Sequence, residues 1–146
     1  MFKIITPVGF DEMLIGERVA DQTAALLNKN NNLYKKHDRY TINNPTDLYI
    51  VYISNGNVAG VTCIREEYYQ LTRNKHTSVD PTFRRMGIGK KLVTEAMNNC
   101  YTKNMYVTIR ETNRVSINLY TSLGFTYVKE YDNKGNKIIV FGRRIR

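Results

Sequence analysis

Two glycines separated by one residue lie where a strand-like run gives way to a helical one. Gly87 and Gly89 follow a segment that stops at Pro81, and an apolar-periodic stretch begins directly after them. Glycine lacks a Cβ atom, so its backbone can turn several N–H groups toward one point and leave room for a ligand against the main chain. The helix dipole adds partial positive charge at the same place. This pattern predicts a cradle for phosphate groups.

Two better-known phosphate-binding loops do not fit this segment. The P-loop of nucleoside triphosphatases needs a further glycine where Arg84 stands and a serine or threonine where Lys91 stands. The dinucleotide-binding fingerprint needs a third glycine at the position of Leu92. We therefore expect a phosphate-binding loop of another class, surrounded by basic side chains: Arg84, Arg85, Lys90 and Lys91.

Two sequence blocks resemble one enzyme family. The segment Arg84-x-x-Gly87-x-Gly89 resembles the Arg-x-x-Gly-x-Gly signature of the GNAT superfamily, the Gcn5-related N-acetyltransferases. The segment from Asn113 to Phe125 resembles the family's Asn-x-x-Ala-x-x-x-Tyr-x-x-x-Gly-Phe block, with Ser116 in the usual alanine place and Tyr120 at the tyrosine. The blocks occur in the family's order and spacing, and together they cover roughly residues 72 to 130.

The resemblance implies an enzyme that moves an acetyl group directly from acetyl-coenzyme A to a primary amine. The acceptor would be a small amine, a protein N-terminus or a lysine, and no metal is expected. Main-chain N–H and C=O groups of Val79 would contact the pantetheine arm of the cofactor. The residues implied in cofactor binding are Val79, Arg84, Arg85, Met86, Gly87, Ile88, Gly89, Lys90, Asn113, Ser116 and Tyr120.

Tyr120 is the candidate catalytic residue, acting as a general acid. Asn113, Ser116, Ile117 and Tyr120 share one face of a helix, because they are spaced by three, four and seven residues. A phenol has a reference pKa of about 10 and a thiol one of about 8.5, so the pocket must favour proton transfer to the departing thiolate. Asn113 is expected to cap this helix and could also contact the cofactor.

The general base stays open between Glu66, Glu67, His76, Glu111 and a relayed water. Ribosomal-protein alanine N-acetyltransferases, which residues 107–125 resemble, place a catalytic glutamate where this chain has Thr108. That departure weakens the transfer of their substrate to this chain. Glu66 and Glu67 could alternatively receive a cationic amine at the acceptor site.

Composition bounds the remaining possibilities. With 146 residues the chain is expected to form one domain, residues 1–146, with a conventional core. It has neither a signal-like N-terminus nor an apolar run long enough for a membrane span, so we expect a soluble, cytoplasmic monomer or homodimer. Cys63 and Cys100 lack metal-ligand spacing and are expected to be reduced core thiols.

The charge leaves two alternative functions. The chain carries 22 basic and 13 acidic residues, a formal net charge of +9, which favours an acidic partner. Coenzyme A is such a partner; direct nucleic-acid binding is the weaker interpretation, because the cations are dispersed and no nucleic-acid motif accompanies them. The alternatives are a toxin-like enzyme that acetylates aminoacyl-tRNA and a non-catalytic module on the same fold that binds acyl-coenzyme A or nucleic acid.

Periodicity and turn residues predict alternating strands and helices. Their order agrees with the α/β GNAT fold, a mixed, mostly antiparallel sheet flanked by helices with a splayed central strand pair. Asn113 is the predicted N-cap of the last helix and Gly124 its C-terminal stop. Strands are predicted at about 2–6, 47–54, 58–65, 71–79, 105–110, 125–131 and 137–141, and helices at about 10–27, 33–38, 88–101 and 114–123.

Overall fold

The computed structural model of the protein describes residues 2–5, 10–30, 36–42 and 44–146. The strands within these ranges are β1 (Phe2–Ile5), β2 (Leu48–Ser54), β3 (Asn57–Tyr68), β4 (Leu71–Val79), β5 (Asn104–Arg110), β6 (Thr126–Asn133) and β7 (Asn136–Arg144). The helices are α1 (Phe10–Asn30), α2 (Arg39–Ile42), α3 (Ile88–Asn98) and α4 (Arg114–Ser122), and a 3-10 turn (Pro81–Phe83) follows β4.

In the described part of the chain, seven strands form one sheet in the order β1-β2-β3-β4-β5-β7-β6. Every neighbouring pair is antiparallel except β4 and β5, which are parallel. The predicted hairpin between β2 and β3 is present, and its turn residues Asn55 and Gly56 both have the positive φ that a tight two-residue hairpin turn requires. The predicted fold class, a mixed and mostly antiparallel sheet with helices around it, is confirmed.

Three helices differ from the sequence prediction. Helix α1 continues to Asn30, three residues beyond its predicted end. Residues 36–38 are not helical, and α2 begins at Arg39 because the Asp38 carboxylate accepts hydrogen bonds from the amides of Tyr40 and Thr41. The rest of the helical turn predicted at 33–38 lies outside the described residues. Helix α3 ends at Asn98, where tighter hydrogen bonds of the last turn replace the helical pattern that was expected to reach Tyr101.

Helices cover both faces of the sheet. The α1 face is the one on which Ala20, Ala24 and Leu27 of α1 pack against Tyr49 and Val61. The opposite face, here called the α4 face, carries α3 and α4. Residues buried together there include Val93, Ala96, Ile109, Ile117, Tyr120 and Phe125.

Strand β4 contains one extra residue relative to β3. Val61 pairs with Ser78, but Cys63 already pairs with Lys75, so two steps along β3 correspond to three steps along β4. The interruption is a β-bulge, and His76 within it has φ of 56°. A bulge changes which face the following side chains reach, because side chains otherwise alternate strictly along a strand.

Candidate active site

A cleft opens where the two parallel strands separate. Pairing between β4 and β5 is limited to Leu71–Arg73 against Asn104–Tyr106. Strand β5 stays paired with β7 as far as Arg110, so β4 diverges from it alone. The cleft between them has a volume of about 540 Å³. The side chains around it include Arg73, Asn74, Lys75, His76, Thr77, Thr108, Arg110, Asn113, Ser116 and Tyr120.

A ring of hydrogen bonds holds the hydroxyl of Tyr120 at one wall of the cleft. The Asn74 amide nitrogen donates to Thr62 Oγ1 at 2.7 Å and to the Cys63 carbonyl at 2.9 Å. Asn74 Oδ1 accepts from the Tyr120 hydroxyl. Thr77 Oγ1 lies 2.8 Å from the Tyr120 oxygen and 2.8 Å from Thr62 Oγ1. The bonds therefore close a ring of four side chains.

The hydrogen bonds of this ring are all donated in the same direction around it. Tyr120 has a single hydroxyl hydrogen and gives it to Asn74, so Thr77 must donate to Tyr120. Because the hydroxyl hydrogen of Thr77 is used in that bond, Thr62 must donate to Thr77. Asn74, Thr62 and Tyr120 are almost fully buried. Burial raises the pKa of the Tyr120 phenol, although the hydrogen bond from Thr77 opposes the shift, so the hydroxyl stays protonated at neutral pH.

The bulge at His76 makes this ring possible. In an uninterrupted strand Asn74 and Thr77 would point to opposite faces of the sheet. The extra residue brings both side chains to the α4 face, where both contact Tyr120. The following residue, Ser78, points to the α1 face and accepts a hydrogen bond from Asn30 of α1 at 2.7 Å.

The predicted glycine loop lies at the carboxyl end of β4. Gly87 has φ of 76° and is the N-cap of α3, and no side chain caps the helix there. A Cβ atom at Gly87 would meet nothing within 4 Å, whereas one at Gly89 would lie 3.4 Å from Leu119 of α4. The positive φ of Gly87, rather than lack of space, therefore favours glycine there, and Gly89 lies close to α4. The loop side chains exposed to solvent are Arg84, Arg85, Met86 and Lys90, while Ile88 is buried.

The main-chain carbonyl of Val79 already accepts hydrogen bonds within the protein. It accepts them from Asn30 Nδ2 at 3.0 Å and from Arg84 Nε at 3.4 Å. The residue pairs with Gly60 of β3 on one side, and on the other side β5 has already diverged. The contact between Asn30 and Val79 ties the end of α1 to the end of β4, a link that no sequence pattern indicated.

Across the gap, Asn113 caps α4 as predicted. Its side-chain oxygen accepts from the Ser116 amide at 3.2 Å. Asn113, Ser116 and Tyr120 all line the cleft, which is consistent with their spacing along one helical face. Gly124 has φ of 89° just beyond the end of α4, as expected for a helix stop.

The other wall of the cleft, on the α1 face, carries positive charge. Met105, Val107 and Ile109 of β5 are buried on the α4 face, so the alternating residues Thr108 and Arg110 point the opposite way. The side chain of Arg73 donates to Thr108 Oγ1 at 3.2 Å, which places this arginine on the same wall. Lys75 follows Arg73 on that side of β4 and lies 3.4 Å from Asp47.

Of the candidate bases, His76 is the one that lines the cleft together with Tyr120. Its ring lies edge-on to His37, with 5.0 Å between centroids, and parallel to Tyr49 at 6.5 Å. Burial lowers the pKa of His76 to about 4, and the charge of Lys75 adds to the effect. The imidazole is therefore neutral at physiological pH, but it is a weak proton acceptor.

The three candidate glutamates lie elsewhere. Glu67 accepts a hydrogen bond from the Tyr106 hydroxyl and lies 3.7 Å from Arg73. Glu66 faces a surface depression beside the turn between β3 and β4. Glu111 is paired with Lys137 at 3.1 Å. The structure thus does not bring any of these carboxylates to the Tyr120 wall of the cleft.

A second, larger cavity of about 700 Å³ lies against β5, β6 and β7. It shares Arg73 and Thr108 with the cleft but is not lined by Tyr120. The smaller cleft is therefore the candidate active site, because it holds the group that could act as an acid. Cys63 and Cys100 are buried away from both, and burial raises the pKa of the Cys63 thiol to about 12, so it is not a ready nucleophile.

Sequence reasoning missed the partners of Tyr120. Thr62, Asn74 and Thr77 carry no motif, and their relation depends on the position of the bulge. A signal existed in the alternation of β4, where polar Asn74 falls at a position that the strand period assigns to the core. A buried asparagine must satisfy its amide, so that position indicated a hydrogen-bond network without identifying its members.

Comparison with known proteins identifies the family. The family model described as "Acetyltransferase (GNAT) family" matches residues 18–125. The chain therefore belongs to the GNAT acetyltransferases, and the resemblance seen in its two sequence blocks is confirmed. No curated protein matches the sequence.

Solved structures show the same fold at low identity. A protein from Streptococcus mutans UA159 is 17% identical with a TM-score of 0.80, over 100% of this chain and 99% of that one. The ribosomal-protein-S18-alanine N-acetyltransferase from Escherichia coli is 18% identical with a TM-score of 0.67, over 99% and 94%. A GNAT family acetyltransferase from Elizabethkingia anophelis with acetyl-CoA bound is 15% identical with a TM-score of 0.60, over 68% and 76%.

Two features are absent from the described residues. None of the helices there is long and apolar enough to cross a membrane. Within the same residues, no three His, Cys, Asp or Glu side chains come together as a set of metal ligands.

The ring around Tyr120 predicts unequal effects of two similar substitutions. Thr62→Val should lower the free energy of unfolding by about 1–3 kcal/mol, because it leaves the partners of a fully buried hydroxyl unsatisfied. Thr23→Val is the matched control: Thr23 is equally buried, but its hydroxyl has no hydrogen-bond partner among the described residues, so stability should stay or rise. Urea unfolding measures both, and equal losses would contradict the ring.

Proposed function

We propose that the protein is an acetyl-coenzyme A-dependent N-acetyltransferase that transfers the acetyl group directly to a primary amine. One observation carries this proposal. An open glycine loop follows the carboxyl end of β4 at the N-terminus of a helix, and a buried tyrosine hydroxyl lines the cleft where β4 leaves β5. The first suits the phosphates of coenzyme A and the second suits its sulfur. Family membership supports the same cosubstrate.

The proposed cofactor site runs from the loop into the strand gap. The amides at the start of α3 and the cations Arg84, Arg85 and Lys90 would bind the phosphates, because the helix dipole and full charges act at one place. The edge of β4 around Val79, which β5 has left, would guide the pantetheine arm inward. Asn113, Ser116 and Tyr120 would form the opposite wall.

The proposed reaction needs no covalent enzyme intermediate. The neutral amine nitrogen attacks the thioester carbonyl carbon, a C–N bond forms and the C–S bond breaks. Tyr120 supplies a proton to the departing thiolate and recovers one from solvent, while the acylated nitrogen loses its extra proton. Burial keeps Tyr120 protonated before transfer, and it also makes its proton harder to release, so the developing thiolate must draw it away from Asn74.

None of the described carboxylates lines the cleft, and fixed positive charge would take the place of a carboxylate base. Arg73, Lys75 and Arg110 surround the α1-face side of the cleft, and nearby positive charge lowers the pKa of a bound ammonium. The amine would thus reach the thioester as its free base, with its proton already lost to water. Neutral His76 would accept a hydrogen bond from the nitrogen rather than remove a proton from a stable ammonium.

Coenzyme A affinity should depend on an open backbone at Gly87. Gly87→Ala adds a Cβ atom toward the phosphates and strains a backbone with φ of 76°, so we expect affinity to fall at least about tenfold, which corresponds to 1.4 kcal/mol. Gly56→Ala is the matched control, since Gly56 has φ of 75° and equally open space but lies in the β2–β3 turn. Isothermal titration calorimetry with both folded variants measures the difference, and equal affinities would reject the cradle.

Turnover should depend on the hydroxyl of Tyr120 rather than on its ring. Tyr120→Phe keeps the edge-on packing against Phe125 and removes the proton donor, so kcat should fall by about 10²–10⁴-fold with the affinity for coenzyme A little changed. Release of free thiol in the presence of an amine panel measures it. Turnover near that of the unsubstituted protein, under conditions where chemistry limits the rate, would reject the role of general acid.

The same panel separates the alternative functions. Coenzyme A binding without acetyl transfer to any amine would favour a non-catalytic module. Transfer to an aminoacyl-tRNA but not to small amines would favour the toxin-like enzyme.

A further inference from the structure

We propose that the acceptor is an amine that carries an anionic group close to the nitrogen, such as a carboxylate or a phosphate. This inference rests on the proposed function and identifies the class of its second substrate. The observation behind it is the charge of the wall from which an amine would reach the thioester. In the described residues, the charged side chains that line the cleft are Arg73, Lys75 and Arg110, and all are cations.

The nearby carboxylates offset only part of this charge. Asp47 accepts from the guanidinium of Arg65 and also lies 3.4 Å from Lys75, so one carboxylate serves two cations. Burial alone would raise the pKa of Asp47, but Arg65 and Lys75 together hold it below its usual range, so it is ionised and already engaged. Glu67 is similarly engaged by Arg73 and by the Tyr106 hydroxyl.

Arg110 has no such partner. It is exposed at the carboxyl end of β5, and its side chain makes no hydrogen bond or ion pair with another described residue. An arginine can bind a carboxylate or phosphate through two parallel hydrogen bonds, which fixes the position of the ligand as well as its charge. Arg110 is therefore the proposed anchor for the anionic group.

The cosubstrate does not account for these cations. Arg73 lies about 20 Å along β4 from Val79, given a rise of about 3.3 Å per residue, and Lys75 about 13 Å. The phosphates would bind beyond Val79, at the glycine loop. Arg73 and Lys75 also lie on the α1 face, whereas Tyr120 and α4 close the cleft from the other face. Their charge acts on whatever approaches the acetyl group from the α1 face.

The same wall disfavours polyamines. A second ammonium on the acceptor would meet Arg110 and Lys75, and none of the described carboxylates lines the cleft to receive it; Glu66 and Glu67 lie elsewhere. An anionic group instead gains attraction while the reacting amine loses its proton more readily. The same cationic side chains would thus bind the anionic group of the acceptor and lower the pKa of its amine.

Matched acceptors test the proposal. The kcat/KM of acetylation is compared for glycine against glycinamide and for phosphoethanolamine against ethanolamine, with putrescine as a polycation. The anionic member of each pair should be preferred at least about tenfold, the ratio for one hydrogen-bonded charge pair. The glycine comparison is stringent, because the carboxamide lowers the amine pKa and gives glycinamide more free base.

Two variants test whether Arg110 causes the preference for anionic acceptors. Arg110→Gln should reduce the preference about tenfold while the KM for acetyl-coenzyme A stays within about twofold. Lys103→Gln, which removes a cation at the opposite end of β5 outside the cleft, should leave the preference intact. Loss of preference in the control variant, or an unchanged preference in Arg110→Gln, would overturn the role of Arg110.

Calorimetry measures the affinity of each acceptor for the complex of the protein with coenzyme A. It tests the same preference for the anionic acceptor without turnover. Equal or better use of glycinamide, ethanolamine or putrescine in both assays would overturn the inference while the proposed function stands. If neither member of any pair is acetylated or bound, the inference is also overturned. Failure of coenzyme A itself to bind would instead contradict the proposed function.

Discussion

The extra residue at His76 in β4 is the constraint on which the candidate site depends. It turns Thr77 to the same face as Asn74, and only in that arrangement can both side chains contact the hydroxyl of Tyr120. A regular strand would leave that buried hydroxyl with fewer partners, at a cost of about 1–3 kcal/mol. The bulge also lies close to the point where β4 leaves β5, so one backbone irregularity holds the Tyr120 hydroxyl beside the gap.

The two walls of the gap differ in charge and in hydrogen bonding. The α4 face supplies a closed, neutral hydrogen-bond ring whose donors are all committed, which holds the phenol in its protonated form. The α1 face supplies fixed positive charge from Arg73, Lys75 and Arg110. The proposed direct acetyl transfer would need a neutral nucleophile on one side and a protonated acid on the other. This division would let the reaction proceed although none of the described carboxylates lines the cleft.

Much of this architecture could be predicted from the sequence. The glycine pair, the Asn113 cap and the Asn-Gly hairpin are local signals whose geometry depends on a few neighbouring residues, and the structure contains each of them. The order of strands and helices came from periodicity and turn residues, and the family resemblance supplied the mixed, mostly antiparallel sheet with a splayed central strand pair. Its assignment of Tyr120 as the acid stays a prediction, now with a defined set of partners.

Other features depended on contacts between distant parts of the chain. The sequence offered four side chains as bases without choosing, because only the fold shows that Glu67 is held by Tyr106 and that Glu111 is held by Lys137. The positive charge of the wall on the α1 face was equally hidden, since Arg73 and Arg110 come to line one cleft through parallel pairing of β4 and β5. The helical turn placed at 33–38 was wrong over residues 36–38, because the capping side chain is Asp38.

A crystal structure of the protein with coenzyme A tests the central claim, that the bulged strand gap brings the thioester sulfur to Tyr120. We expect the phosphates on the amides at the start of α3, the pantetheine arm along β4 beside Val79, and the sulfur within hydrogen-bond distance of the Tyr120 hydroxyl. A cofactor seated in the larger cavity against β5, β6 and β7, or a sulfur far from an unchanged Tyr120 ring of hydrogen bonds, would contradict the account.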